Sequence, residues 1–460
     1  MILNISNESF ISIYDDNDIN EDLIIYQGRF YIYGTYDIKC QGTIYYKISD
    51  PVSINFRATV YKYETISYYI DDLSMEEISI EIPGYKVINA EITQTVNGDL
   101  YGYINDILIK SKDTDVDYLQ FDILNMDKLP GKLVRHGDLV YAARLEFDVN
   151  EYTIVIDKSY KYNKEMHNNL VSKTGNIITH TGRIYKKDAS KVKTKRVRYI
   201  LNNLSTALSF LCGRYINILN AFGYNGDKNS YREWCKNYSS DYRFVFNWTS
   251  TISNYHNIEK YLSLMCKRLE DTYYSSAIDN TVDWYLEALN GNNIDNNIIS
   301  IQTALEMLSY VVLVEMKEVF NTVEYDRNPA KHNIRRLLKE CSLDTSIARI
   351  DQFQPDLVDD FKDGVDLITY YRNTVVHPSK SKQNNKLEFE DMWNITLLGI
   401  NYIELVILYL INYRGEYTDR FKDFEDDDCV YLIQQLHGRI KSFMKNIASL
   451  YYEAYENKSQ

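Results

Sequence analysis

The hydrophobic pattern of this chain changes period near residue 190, and no single layer architecture accommodates both halves. From about Leu23 to Lys158, apolar and polar residues alternate with a period of two, in stretches such as "LIIYQGRFYIYG", "SINFRATVYKY", "KVINAEITQTV" and "LVYAARLEFDV". Ile, Val, Tyr and Thr dominate these runs, and turn residues such as "NGD" and "PG" separate them. Such alternation predicts an antiparallel β-sandwich or open barrel. After Ser190 the pattern becomes long amphipathic stretches with few glycines and only three prolines, Pro329, Pro355 and Pro378. That composition predicts a helical bundle. The expected fold class is therefore α+β multidomain: a β-rich region over 1–185, a basic linker over 186–198, and a helical region over 199–460.

The linker stands out by charge. Between Arg183 and Arg198 lie eight basic residues (Arg183, Lys186, Lys187, Lys191, Lys193, Lys195, Arg196, Arg198) and one acid, Asp188, inside a chain of net charge −14. Read blandly it is a solvated connection; read sharply it is a strip that attracts phosphates. The overall negative charge argues against non-specific coating of nucleic acid. The 43 tyrosines accompany abundant Ile, Asn and Lys, a coding-composition bias that carries no function by itself.

Other classes are excluded by missing chemistry. The six cysteines, Cys40, Cys212, Cys235, Cys266, Cys341 and Cys429, are scattered without a C-x-x-C pair, so free thiols are expected rather than a zinc site or redox motif. "DTDVDYLQFDIL" begins like a calcium loop at Asp113, Asp115 and Asp117, but Tyr118 replaces the required glycine and Leu124 the bidentate glutamate. The acidic run ending at Asp428 reads as a solvated loop. Phosphate-loop, dinucleotide, zincin and hydrolase-elbow motifs are absent. No metal or cofactor is expected. The start "MILNISNESF" lacks a secretory pattern, and "ITLLGINYIELVILYLI" carries Asn401 and Glu404 mid-segment, which points to a bundle helix rather than a membrane span. A cytoplasmic protein without membrane association is the expectation.

The stretch with most chemical content is "DLVDDFKDGVDLITYYRNTVVH", Asp356–His377, read as one helix between Pro355 and Pro378. On that helix Leu357, Val358, Phe361, Val365, Ile368, Val375 and Val376 share one face, with Arg372 at its centre. A second stripe holds Asp366, Tyr370, Asn373 and His377. An unpaired guanidinium removed from water costs several kcal/mol, so Arg372 must meet a carboxylate, a subunit boundary or an anionic ligand. Glu306, the sole acid in "IQTALEMLSYVVLV", is the structural partner to expect. His377 at a helix C-terminus gains from the dipole in its charged form. A fixed cation, an amide and a proton-transfer group on one helix end are the parts needed for metal-independent RNA cleavage. Upstream, Lys331, Arg335 and Lys339 repeat at i, i+4, i+8 beside His332 and Arg336, a stripe that reads as a solvated face or as an RNA contact.

The string Arg372-Asn373-x-x-x-His377 resembles the HEPN ribonuclease signature. With "ITHTGRI", "LSTALSFLCGR", "VDWYLEAL", "IQTALEML" and "YRNTVVHP" in that order, nearly the whole chain resembles the ApeA-like anti-phage HEPN proteins, in which a β-domain precedes a C-terminal HEPN bundle, here about 280–460. The resemblance implies an RNA endonuclease of bacterial defence with tRNA among its targets, active as a homodimer and set off by a phage-derived trigger. Mapped here, Arg372 would stabilise the scissile phosphate, His377 would act as general acid or base, and Asn373 would orient His377 or the ribose. Glu306 and Tyr370 would support the site. Two other readings stand beside it: a non-catalytic module binding RNA or nucleotide, and a β-domain sensor on a helical scaffold.

Overall fold

The computed structural model describes residues 8–35, 37–49, 52–60, 77–110, 115–235, 239–348, 350–377 and 387–421. Asp113, Pro378, Asp428 and Cys429 lie outside them.

Period-two alternation closes on itself in the first 100 residues. Strands β1 (Leu23–Tyr33), β2 (Asp37–Lys47), β3 (Ser53–Val60), β4 (Glu77–Glu81), β5 (Ile88–Val96) and β6 (Asp99–Ile104) form a closed antiparallel barrel in the order β1-β2-β3-β6-β5-β4. The barrel is closed where a sandwich or open barrel was expected, because β1 pairs with β4 through Tyr31 opposite Glu81 and Ile32 opposite Ile80. Alternate residues such as Phe30, Ile44, Phe56, Ile80 and Ile92 fill the interior. Asn97 and Gly98 both have positive φ, 52° and 86°, the primed turn that matches strand twist between β5 and β6. Gly102 has a different purpose: a Cβ there would lie 2.5 Å from the Phe56 ring and 2.0 Å from a carbonyl of β5.

A second, eight-stranded sheet follows, made of β7 (Leu108–Lys110), β9 (Tyr118–Leu124), β10 (Lys132–His136), β11 (Leu139–Val149), β12 (Tyr152–Lys158), β13 (Ile178–Lys186), β15 (Asn220–Asn225) and β16 (Lys228–Trp234). Its order is β10-β11-β12-β13-β9-β15-β16-β7, while β8 (Asp115–Val116) pairs with β14 (Val192–Lys193) alone. Helix α1 (Lys164–Lys173) bridges β12 and β13, and α2 (Thr194–Cys212) leads to the β15–β16 hairpin. That hairpin lies inside the stretch expected to be helical. Its Asn225-Gly226 turn, with Gly226 at φ 56°, repeats the Asn-Gly signal already used between β5 and β6. Residues 186–198, expected as a linker, are instead the end of β13, β14 and the first turn of α2. Four of the eight cations are ion-paired internally: Lys187 with Asp148, Lys191 with Asp117, Arg196 with Glu270 and Arg198 with Glu233.

The helical region comprises α3 (Tyr255–Leu269), α4 (Thr272–Asn290), α5 (Ile294–Tyr310) running into a π-turn at Val311–Met316, α6 (Thr322–Arg327), α7 (Ala330–Glu340), α8 (Pro355–Asp360), α9 (Gly364–Val376) and α10 (Phe389–Leu410). One apolar core runs from the sheet through Ile200, Leu208 and Phe210 of α2 into Leu262 of α3, Leu305 of α5, Ile368 of α9 and Ile403 of α10. By length and composition the segments Ile294–Met316 and Phe389–Leu410 could cross a membrane, yet most of each is buried inside the fold. Glu404, the residue that would be costly in lipid, is 1% exposed and meets Arg420 in a fork of 2.9 and 2.6 Å. Tyr285 donates to the same carboxylate at 2.8 Å. Among the described residues Cys40, Cys212, Cys266 and Cys341 are buried thiols outside any disulfide and Cys235 is half-buried, and no group of three or more His, Cys, Asp or Glu is placed to hold a metal.

Candidate functional site

Asp356–His377 is not one helix. Phe361 adopts extended backbone (φ −118°, ψ 136°) after α8, and Asp363 starts a new helix by accepting the Asp366 amide at 3.0 Å. Two causes favour this break. Gly364 lets α9 cross α10 closely, since a Cβ there would sit 2.5 Å from Tyr402 Oη and 2.6 Å from Leu398. Arg335 of α7 also forks onto Asp363, Nε to Oδ2 at 2.6 Å and Nη2 to Oδ1 at 2.9 Å, and reaches Asp366 Oδ1 at 2.8 Å. Burial alone would raise the Asp363 pKa; the Arg335 hydrogen bonds outweigh it and hold the carboxyl below its ordinary value. A continuous helix would have carried Asp363 away from Arg335.

The break resets the faces of α9. Val365, Leu367, Ile368 and Tyr371 are buried, and Tyr371 donates to Asp295 of α5 at 2.8 Å. Arg372 therefore stands at the flank of the apolar face, not at its centre, and is half-buried. Its side chain turns into an open cleft of about 680 Å³ between α5, α7 and α9. There Nη1 donates to Asn373 Oδ1 at 3.2 Å, and among the described residues no carboxylate forms an ion pair with it. The expected pair with Glu306 is not made: Glu306 lines the same cleft but accepts from Gln302 Nε2 at 2.6 Å. Tyr370 and Phe361, edge to face at 5.0 Å, form an aromatic wall.

The structure thus brings Arg372, Asn373, Tyr370, Glu306 and Lys331 to one cleft. His377 is not among its lining residues. It caps α9, its amide donating to the Asn373 carbonyl at 3.0 Å, and it is exposed. The basic stripe divides. Arg335 is bound to Asp363 and Asp366, and Arg336 to Glu340 at 2.7 Å. Lys331 faces the cleft 3.7 Å from Asp366, His332 lies against the Phe320 ring, and Lys339 is exposed. Phe361 was not read as a site residue because it sits on the apolar period from Leu357 to Val365, nor was Asp363, because that period runs past it without interruption. Gln302 was legible as the i−4 neighbour of Glu306. Its Oε1 and the Thr369 hydroxyl, both on the cleft wall, are buried without a hydrogen-bond partner among the described residues, and a ligand in the cleft could engage either.

The comparisons follow these structural divisions. Residues 111–245, the eight-stranded sheet apart from β7 together with α1 and α2, match the YopA central domain, and residues 271–430, covering α4–α10, match the YopA C-terminal domain. Over 439 residues the chain is 27% identical to the SPbeta prophage-derived uncharacterized protein YopA of Bacillus subtilis (strain 168), covering 90% of this chain and 95% of the relative. No solved structure matches the chain significantly.

Proposed function

We propose that this chain is a metal-independent endoribonuclease of phage–host conflict, whose α4–α10 region is a HEPN-type bundle working as a homodimer in the cytoplasm. The observation that carries the reading is the Arg372 guanidinium. It is half-buried in a cleft, held by the neighbouring amide of Asn373, and left without a carboxylate among the described residues. A cation in that setting is stabilised by an incoming anion. The aromatic wall of Tyr370 and Phe361 offers a stacking surface for a base beside the phosphate. The prophage origin given for the relative supports a role in phage–host conflict.

In the proposed reaction the ribose 2′-oxygen attacks the adjoining phosphorus and the bond from phosphorus to the 5′-oxygen breaks. The 2′ proton leaves to a base, an acid protonates the departing 5′-oxygen, and a cyclic phosphate remains. Arg372 offsets charge on the phosphate. His377 supplies proton transfer, with Asn373 orienting it or the ribose. Since His377 lies beyond the wall of its own chain's cleft, the dimer is required to complete the site: the exposed ends of two α9 helices meet, and each copy contributes to a shared chamber. RNA, with tRNA a candidate, is the substrate, and a phage product is the trigger.

End-mapping of cellular RNA after expression tests this. Arg372→Ala and His377→Ala are expected to remove cyclic-phosphate ends and toxicity while the protein stays folded, and chelation with EDTA to leave cleavage intact. Retained cleavage in both variants sinks the proposal. The position of His377 outside the cleft favours a second reading, a binding module without catalysis. In that case Arg372→Ala weakens RNA affinity, His377→Ala does not, and no product forms.

A further inference from the structure

Charge is segregated around the barrel wall. Strands β1–β3 carry Arg29, Lys39, Lys47 and Arg57 against a single carboxylate, Asp37. Strands β4–β6 carry Glu77, Glu81, Glu91 and Asp99 and no Lys or Arg. Apolar side chains fill the interior, so this asymmetry is presented outward. The molecule as a whole is acidic, and a basic half-barrel persists against that background.

On the basic half, cations and rings are matched across strands. Tyr31 stands opposite Lys39, whose Nζ lies 5.7 Å from the ring centre. Arg57 stands opposite Tyr101, with its guanidinium 5.5 Å from that ring. Tyr33 stacks beside Tyr31 at 6.3 Å and 9°. Outward polar groups accompany them: Gln41 opposite Thr59 lies between the two pairs, Thr43 stands opposite Arg57 itself, and Asn55 opposite Tyr45 lies beyond the second pair. From strand spacing and rise the two cation–ring pairs are on the order of 15 Å apart, a span for several nucleotides of an extended strand. The seam is marked where carboxylates begin: Asp99 meets Arg57 at 3.3 Å, and the hydroxyls of Tyr33 and Tyr103 donate to Glu81 and Glu91.

We propose that the outward face of β1–β3 with the adjoining β6 is a platform for single-stranded RNA, on which Tyr31 and Tyr101 stack bases while Arg29, Lys39 and Arg57 hold phosphates. Alternating rings and cations fit that polymer: π-faces accept any base, cations follow the backbone, and short amides and hydroxyls reach base edges. The choice of RNA over DNA rests on the ribonuclease reading above; the binding does not.

The test uses the full chain carrying His377→Ala, so that RNA is not consumed, and the anisotropy of a labelled oligouridylate. Lys39→Glu with Arg57→Glu is expected to weaken binding about tenfold or more and to lower the salt slope by roughly 0.7 per cation removed. Tyr31→Leu with Tyr101→Leu, which keeps apolar bulk on the strand, is expected to weaken it about tenfold at unchanged salt slope. Circular dichroism establishes that each variant is folded. Unchanged affinity in both folded variants overturns the proposal, as does equal competition by polyglutamate or tighter binding of oligodeoxythymidylate. Anisotropy reads the barrel and end-mapping reads the helical cleft, so failure of one is distinguishable from failure of the other.

Discussion

Replacing Arg335 by Met should loosen the start of α9 and, through it, the cleft that holds Arg372. Arg335 forms three hydrogen bonds of 2.6–2.9 Å to two carboxylates, and the Asp363 side chain is only 7% exposed. Removing one partner of a fully buried pair costs about 3–5 kcal/mol, and a surface pair about 0–1 kcal/mol. With Arg335 itself 27% exposed, the loss belongs between these limits, at about 2–3 kcal/mol. For a region of this size that corresponds to a fall in melting temperature of roughly 5–10 °C. The pH dependence supplies a second reading. Asp363 has a lowered native pKa, so its stabilisation is fully present above the unfolded carboxylate value near ~3.9 and is lost as pH falls through the native value. The gap between wild type and variant, followed by urea denaturation, should hold constant from neutral pH to about 5 and close below about 4. Arg335→Lys, a point charge without the fork, should recover less than half. A loss under ~0.5 kcal/mol, or a gap indifferent to acid, would refute the ion-triad argument.

Four further outcomes are expected. Glu404→Gln leaves Arg420 buried at 3% exposure against a neutral amide and should cost about 3–5 kcal/mol in chemical denaturation. Gly364→Ala places a Cβ against Tyr402 and Leu398 and should cost about 1–3 kcal/mol, with α9 displaced. Burial holds the His180 pKa down to about 3, so its ring should show no NMR titration between pH 5 and 8. Because the unfolded chain takes up that proton first, wild-type stability should fall from about pH 6.5 downward by up to ~1.4 kcal/mol per pH unit, a slope that His180→Gln removes. Lys331→Glu, at the mouth of the cleft, should weaken RNA binding severalfold and reduce its salt slope, read by anisotropy, without altering the melting temperature.

The order of β then α was legible because side-chain period is imposed directly by strand and helix geometry. What escaped was long-range. The β15–β16 hairpin carries the same Asn-Gly dipeptide as β5–β6, one position earlier in its turn, but it is surrounded by helical composition, and its pairing with β9 is a contact of residues some 100 apart that no local pattern encodes. The closure of the barrel likewise depends on β1 meeting β4. At the candidate site, helical spacing grouped Tyr370 with Asn373 and made Glu306 of α5 a neighbour to expect for Arg372, but it set Arg372 on a different stripe from Asn373, and the ion pair expected with Glu306 is not made. Arg335 did not, since a surface-like basic repeat gives no hint that one member is claimed by Asp363 and Asp366. Phe361 kept the apolar period while its backbone left the helix, and the crossing of α9 over α10 at Gly364 together with the Arg335 fork on Asp363 explains why.

The core that runs without interruption from the eight-stranded sheet into the helices decides where this chain can be cut. A helical fragment released near residue 250 would expose the apolar faces of α3 and α4 that α2 and β11 now cover, so sheet and bundle are one cooperative unit in unfolding. The barrel, with a core of its own to which Leu108, Leu124, Phe222 and Trp234 of the sheet and the adjacent Leu219 also contribute, should melt as a separate transition. Removal of residues before 106 is therefore the deletion that separates the proposed RNA platform from the proposed cleft, whereas deletion through 185 also takes away most of the eight-stranded sheet on which α2 and α3 pack.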